Sequence, residues 1–357
     1  MKKEKNGFIE LCRFLFCGVI FLHHSGFVGN SSTNYRFPAG FLAVEFFFLL
    51  SGCFAMKHVL EDKKEISDKM AYSVSYTIGK LKRIFPYAAF GTILAYVWKW
   101  YNCVPGTGLK DRFWGIWNLP FELCFLPMTG IMPVDLGSYL NAPLWYLSVM
   151  LICLPLVMYL ALRVKDLYRS YLVWILPFLI NGYLLKEIGS VGTWGQFVGF
   201  TYSGVIRGFA ELTLGCLVYL VAEKVILWYD NQSSTKAWLV KIVLTMVELG
   251  GYGFLFYLCT VSANGYVYEA GILWLAAALA ISVSGKSLTG YVKGSIFEFL
   301  GKISVPIYCT HWAVYQIVKK YGASYSYTIK VRIAFLVCVV VAILLVKCNE
   351  LMQRRCK

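Results

Sequence analysis

The sequence predicts an all-α polytopic integral membrane protein of about ten transmembrane helices, with both termini cytoplasmic. Three observations predict it. Hydrophobic residues make up 59% of the 357 and charged residues 15%, against about 45–50% and 25% in soluble domains. Mean hydropathy is +0.62, which is more apolar surface than a soluble globule can hide. Apolar stretches of about 17–25 residues, the length that crosses a bilayer, recur along the whole chain. A secreted disulfide scaffold, a disordered chain and an ordinary cytosolic enzyme are excluded together.

The spans fall at 8–28, 38–56, 82–101, 142–162, 171–186, 204–224, 238–260, 267–284, 302–318 and 332–349. The opening MKKEKNGF is basic and then apolar, without a small-residue cleavage site, so the first stretch reads as an uncleaved span. Residues 113–131 are also apolar, but Pro120 and Pro127 break them. They read as a re-entrant or interfacial segment. The last span ends within ten residues of Lys357, so the expectation is one membrane-embedded domain over 1–357 with no appended soluble domain. The two halves show no clear match, which weighs against an inverted-repeat transporter.

Orientation follows from the cations. Lys57, Lys63, Lys64, Lys69, Lys80, Lys82 and Arg83 fall in one connection, Arg163, Lys165 and Arg169 in another. Lys2, Lys3 and Lys5 lie at the start; Lys347, Arg354, Arg355 and Lys357 lie at the end. Ten spans put all of these on one side, the cytoplasmic one by the positive-inside rule. The net charge of +15 (34 Lys and Arg less 19 Asp and Glu) is therefore read as loops facing anionic lipid, and no nucleic-acid partner is expected. Of the 12 cysteines, Cys12, Cys17, Cys53, Cys153, Cys216, Cys259, Cys309 and Cys338 sit in apolar runs, and no C-x-x-C occurs. They read as reduced, buried small hydrophobes, with no metal expected.

Ionisable groups inside a span are costly and face a bundle interior or an aqueous cavity. Span one carries Arg13, His23 and His24, with Glu10 near its start; span two carries Glu45. Span six carries Arg207 and Glu211, span seven Glu248 and span nine His311. Arg13 and His24 are eleven positions apart, close to three whole helical turns and about 16 Å of rise, so they share a face. Histidine suits general-base work near neutral pH. By residues alone, this pair is equally a catalytic arrangement or a polar tie between helices. His23, about 100° round the helix, reads as a packed or interfacial residue, and Glu248 as structural.

Taken in chain order, further pieces resemble the acyltransferase-3 family of membrane O-acyltransferases. That family has Arg, ten residues, then His in its first span, here Arg13 and His24. Its second span, G-x-x-x-V-[DE]-x-F-F-x-x-S-G, matches Gly40, Val44, Glu45, Phe47, Phe48, Ser51 and Gly52. Its R-x-x-R-I-x-P element matches at Arg83, Ile84 and Pro86, with Lys80 in place of the first Arg. Lysine keeps that charge but loses the bidentate fork. W-[YF]-L and I-S-x-x-I-Y-x-x-H match Trp145–Leu147 and Ile303–His311.

The resemblance covers the whole chain. It implies transfer of an acyl group, commonly acetyl, from cytosolic acyl-CoA to a hydroxyl of a glycan, lipid-linked sugar or exopolysaccharide. His24 would be the base, Arg13 a donor to the developing oxyanion, and Glu45 would orient His24 or a cation. Lys80 and Arg83, with Arg207 and His311, would hold acetyl-CoA or another acyl-CoA. The implied location is the plasma membrane, with a bacterial inner membrane as the setting. The competing reading is a polytopic transporter or flippase for a polar or anionic substrate, with Arg13, Glu45, Arg207 and His311 along its path. Acetyl-CoA binding separates the two.

Overall fold

The computed structural model describes residues 5–29, 37–62, 65–102, 116, 118–131 and 139–355. Ten long helices carry most of them. They are α1 Gly7–His24, α2 Ala43–Glu61, α3 Lys69–Tyr101, α4 Trp145–Arg163, α5 Val173–Ile188, α6 Ser203–Asp230, α7 Ser234–Thr260, α8 Gly265–Ser284, α9 Ser295–Tyr321 and α10 Tyr327–Arg355. A one-turn π segment, Tyr168–Leu172, leads into α5. The described strands are the two-residue pair β1 Phe197–Val198 and β2 Thr201–Tyr202, turned at Gly199 with φ of +62°. Of the broken segment 113–131, residues 113–115 and 117 lie outside the described residues, as do Lys2, Lys3, Lys63, Lys64, Lys357 and most of connection 29–37.

Among the described residues, eight helical stretches are long and apolar enough to cross a membrane. The other two long helices, α3 and α9, hold the predicted spans 82–101 and 302–318 but extend past them into charged turns. Helix ends that meet reveal the alternation. Asn6 donates to the Ser282 carbonyl at 2.8 Å, Lys286 pairs with Asp230 at 2.5 Å, and Lys302 with Glu350 at 3.2 Å. These define the N-terminal face. On the opposite face Ser25 bonds Tyr327 at 2.6 Å and the Ala39 N–H donates to the Cys259 carbonyl at 3.2 Å. Both ends of the described chain therefore share one face.

Local chemistry sets the helix starts. Asn6 Oδ1 accepts from the N–H groups of Phe8 and Ile9, and Asp68 Oδ1 from that of Ala71, satisfying donors that a helix start leaves open. A close crossing joins α2 to α6. A Cβ on Gly52 would stand 2.0 Å from the Leu212 carbonyl oxygen, and one on Gly215 2.3 Å from that of Leu49. Small residues let backbones meet in this way inside a membrane. The Gly52 of the second-span motif is thus a packing residue. Glu248 is buried at the N-terminal face, where its carboxylate accepts from Ser282 Oγ at 2.5 Å and Thr289 Oγ1 at 2.9 Å. It ties α7 to the end of α8 and the turn after it. The eight cysteines of the apolar runs are buried and unbridged.

Candidate active site

His24 ends α1 on the opposite face, and α9 brings His311 against it. His24 Nδ1 and His311 Nε2 are 3.0 Å apart. His311 is buried among Phe21, Tyr308 and Tyr315, with ring centroids 5.9–6.4 Å away, and its Nδ1 lies 2.6 Å from the Tyr308 carbonyl. His23 points elsewhere: its Nδ1 bonds the Phe37 carbonyl at 2.7 Å. Its Cβ is where a side chain on Gly40 would fall, 2.5 Å away, so the motif's first glycine leaves room for His23.

A cavity of about 310 Å³ opens beside His24, walled by Phe27, Pro143, Trp145, Trp194 and Trp312. Trp145 and Trp194 stack at 5.7 Å with an interplanar angle of 11°. Trp312 meets the His24 ring edge-on at 5.7 Å. Its volume is at the lower end for small-molecule sites.

The far wall is set by a buried carboxylate. Glu122, in the helical stretch that holds residues 118–123, accepts from the N–H groups of Leu140 and Asn141 at 2.6 and 2.9 Å. Asn141 in turn donates to the Cys309 carbonyl at 2.8 Å. Burial pushes Glu122 up to about 7, against the lowering pull of those two N–H groups and Lys99. A carboxyl raised in the folded state favours folding most below its ordinary value, and that contribution is lost as pH rises through about 7. Stability, and with it the thermal midpoint, should therefore fall as pH rises from about 4.5 to about 7, with up to roughly 3 kcal/mol of unfolding free energy lost from this group. Glu122→Gln should flatten the fall. Parallel pH profiles of the two proteins, read by tryptophan fluorescence, would refute this.

A second buried cluster lies one layer deeper. Arg207 of α6 pairs with Glu45 of α2, with Nε 2.5 Å from Oε1. Arg207 also donates to the carbonyls of Gly192 at 3.0 Å and Phe41 at 3.1 Å, and lies between the Phe41 and Trp145 rings at 5.9 and 5.6 Å. It thus grips the loop that carries Trp194 and a ring of the cavity wall. Beside it the Asn181 amide donates to both Glu211, at 2.8 Å, and Glu269, at 3.1 Å.

Arg13 lies near the N-terminal face, bonded to Glu10 at 3.1 Å. Arg13 and Arg83 are both close enough to Lys80 for their charges to act on it, so three cations from α1 and α3 gather there. The residues expected from sequence thus divide into three groups: His24 with His311, Glu45 with Arg207, and Arg13 with Lys80 and Arg83. Arg207 and His311 stand with the first two groups, away from Lys80 and Arg83. Glu45 contacts Arg207, not His24.

Three residues of these groups go beyond the sequence reading. Glu269 stands in the predicted span 267–284 and meets the same test of an intramembrane charge as Glu45. Asn181 is a polar residue in the middle of predicted span 171–186. Trp194 comes from a glycine-flanked loop, and no periodicity marks it. Among the described residues no three His, Cys, Asp or Glu side chains gather as metal ligands.

Compared with known proteins, residues 6–347 match the acyltransferase-3 family model, described as an acyltransferase domain. No curated protein and no solved structure matches the chain. The match covers nearly the whole chain, which therefore belongs to the acyltransferase-3 family and is a membrane acyltransferase.

Proposed function

We propose that this acyltransferase-3 family member moves an acyl group, acetyl first among candidates, from cytosolic acyl-CoA to a sugar hydroxyl presented at the opposite face of the plasma membrane. The observation that carries this reading is the cavity that joins His24 to three tryptophans. Indole faces pack against the C–H faces of a pyranose ring, and a histidine at the edge can take a hydroxyl proton. The acceptor is accordingly a glycan or lipid-linked sugar.

The donor enters from the N-terminal face. There Arg13, Lys80 and Arg83 offer charge-assisted hydrogen bonds to the phosphates of an acyl-CoA. Arg13 and His24 are about 16 Å apart along α1, a gap that an extended pantetheine arm can cover. At His24 the acceptor O–H bond breaks, its proton passes to the ring nitrogen, and the oxygen attacks the thioester carbonyl. The new C–O bond forms, the C–S bond breaks, and the leaving thiolate takes the proton back from His24. No covalent enzyme intermediate is needed.

The test uses purified protein in nanodiscs with labelled acetyl-CoA, first without and then with sugar acceptors. Slow hydrolysis alone, and faster transfer with an acceptor, are expected. Arg83→Ala should raise the KM for acetyl-CoA by roughly 10-fold or more, the size of a lost charged hydrogen bond, with little change in kcat. Folded protein that neither binds nor consumes acetyl-CoA or longer acyl-CoAs would refute the donor assignment.

A further inference from the structure

We propose that His311 is a positioning residue that fixes His24 in the tautomer with its proton on Nδ1 and its lone pair on Nε2. The inference rests on His24 being the base of the proposed reaction, and it deepens that reading.

Donors and acceptors around the two rings fix the tautomer. A carbonyl oxygen only accepts, so the 2.6 Å contact to the Tyr308 carbonyl places a proton on His311 Nδ1. A neutral imidazole carries one N–H, so His311 Nε2 is a lone pair. That lone pair faces His24 Nδ1 at 3.0 Å, and the contact is a hydrogen bond only if His24 Nδ1 carries the proton. His24 Nε2 is then the unprotonated nitrogen. No described residue hydrogen-bonds it, and the ring lines the aromatic cavity.

Neutrality of the pair follows from its surroundings. His311 is 1% exposed, its ring centroid is 5.1 Å from that of His24, and no carboxylate among the described residues hydrogen-bonds either ring. A buried cation without a counter-ion is strongly disfavoured. The far end of the relay is a backbone carbonyl, which does not titrate. Phe21, Tyr308 and Tyr315 enclose the His311 ring, and the Tyr315 hydroxyl is itself tied to the Phe21 carbonyl at 2.9 Å. The direction of the relay is thus fixed by parts that do not rotate. When His24 Nε2 takes the acceptor proton, the Nδ1–H bond to His311 becomes charge-assisted and strengthens. His311 thereby performs the orienting task that a carboxylate performs in a serine hydrolase.

The chain has four histidines, so nitrogen-15 histidine labelling of the full protein in nanodiscs can be assigned by replacing the other three singly. His24 should show a protonated Nδ1 and a through-hydrogen-bond N–N coupling to His311 Nε2. His311→Leu should remove the coupling, mix the tautomers, and lower kcat with acetyl-CoA by about 100-fold while both KM values hold within about twofold. His311→Gln places an acceptor oxygen near the old Nε2 position. It should keep the Nδ1 proton and recover about tenfold in kcat. A His24 protonated on Nε2, or His311→Leu with an unchanged kcat, overturns the proposal. The expected tautomer in a protein that turns over no acyl-CoA would instead overturn the acyl-transfer reading and leave the relay standing.

Discussion

His24→Ala should lower turnover by roughly 10²–10⁴-fold, the usual contribution of a positioned general base, with acetyl-CoA binding retained. Binding survives because the donor phosphates are assigned to Arg13, Lys80 and Arg83, near the other face. The fold should survive as well, since His24 ends its helix and its ring gives up only the hydrogen-bonding contacts to His311 and to the Ile20 backbone. His23→Ala is the matched control. His23 is bonded to the Phe37 carbonyl, so its loss should change turnover only a few-fold, with a small loss of stability from one buried hydrogen bond. Measured side by side with labelled acetyl-CoA and a sugar acceptor, the reverse pattern would assign the base to His23 and sink the role given to His24.

The largest effect on stability is expected from Arg207→Leu. Arg207 and Glu45 are both almost fully buried, at 1% and 0% exposure. Removing one partner strands the other charge and costs about 3–5 kcal/mol. Two backbone carbonyls, Gly192 and Phe41, lose their donor in the same step. The double variant Glu45→Leu, Arg207→Leu removes the stranded carboxylate, so its thermal midpoint should recover much of the loss. Turnover should not recover in step. Arg207 also holds the loop bearing Trp194 and lies on Trp145, and the double variant leaves both walls of the cavity loose. Equal recovery of stability and turnover would mean that the ion pair acts through stability alone. A rise in the KM for acetyl-CoA would instead place Arg207 on the donor.

Hydropathy located all ten long helices, because a bilayer imposes a length and a composition on each crossing. It misjudged the extents of α3 and α9. Span 82–101 became Lys69–Tyr101 and span 302–318 became Ser295–Tyr321, since helix continues into charged turns where hydropathy has already fallen. The face shared by Arg13 and His24 follows from helical periodicity. Their division into separate clusters does not, because periodicity gives direction and leaves the neighbours unspecified. The partners came from far along the chain: His311 lies 287 positions from His24, and Arg207 162 positions from Glu45. No spacing rule reaches that far. Intramembrane charge flagged Glu45 and Arg207 individually, and their mutual neutralisation is the reason both are tolerated. Trp194 left no signal, since a loop residue is placed by the loop's tether, here Arg207 on Gly192.

The glycine contact between α2 and α6 constrains motion. Gly52 faces the Leu212 carbonyl and Gly215 the Leu49 carbonyl, so there are no side chains between the two backbones to re-pack as one slides past the other. Sliding or rolling at this contact would drive main chain into main chain, so the pair moves as one stiff plank. Packed protein interfaces adjust in discrete steps, by shear where side chains can re-seat or by hinging where they cannot. The same holds for α3 and α9, where a Cβ on Gly91 would stand 2.0 Å from the Cys309 carbonyl oxygen, so an opening that admits substrates from two faces falls between these two locked pairs. The arginine–glutamate pair joins α2 to α6, and the histidine pair joins α1 to α9. The wall of tryptophans between them is where a catalytic cycle would be felt as opening and closing.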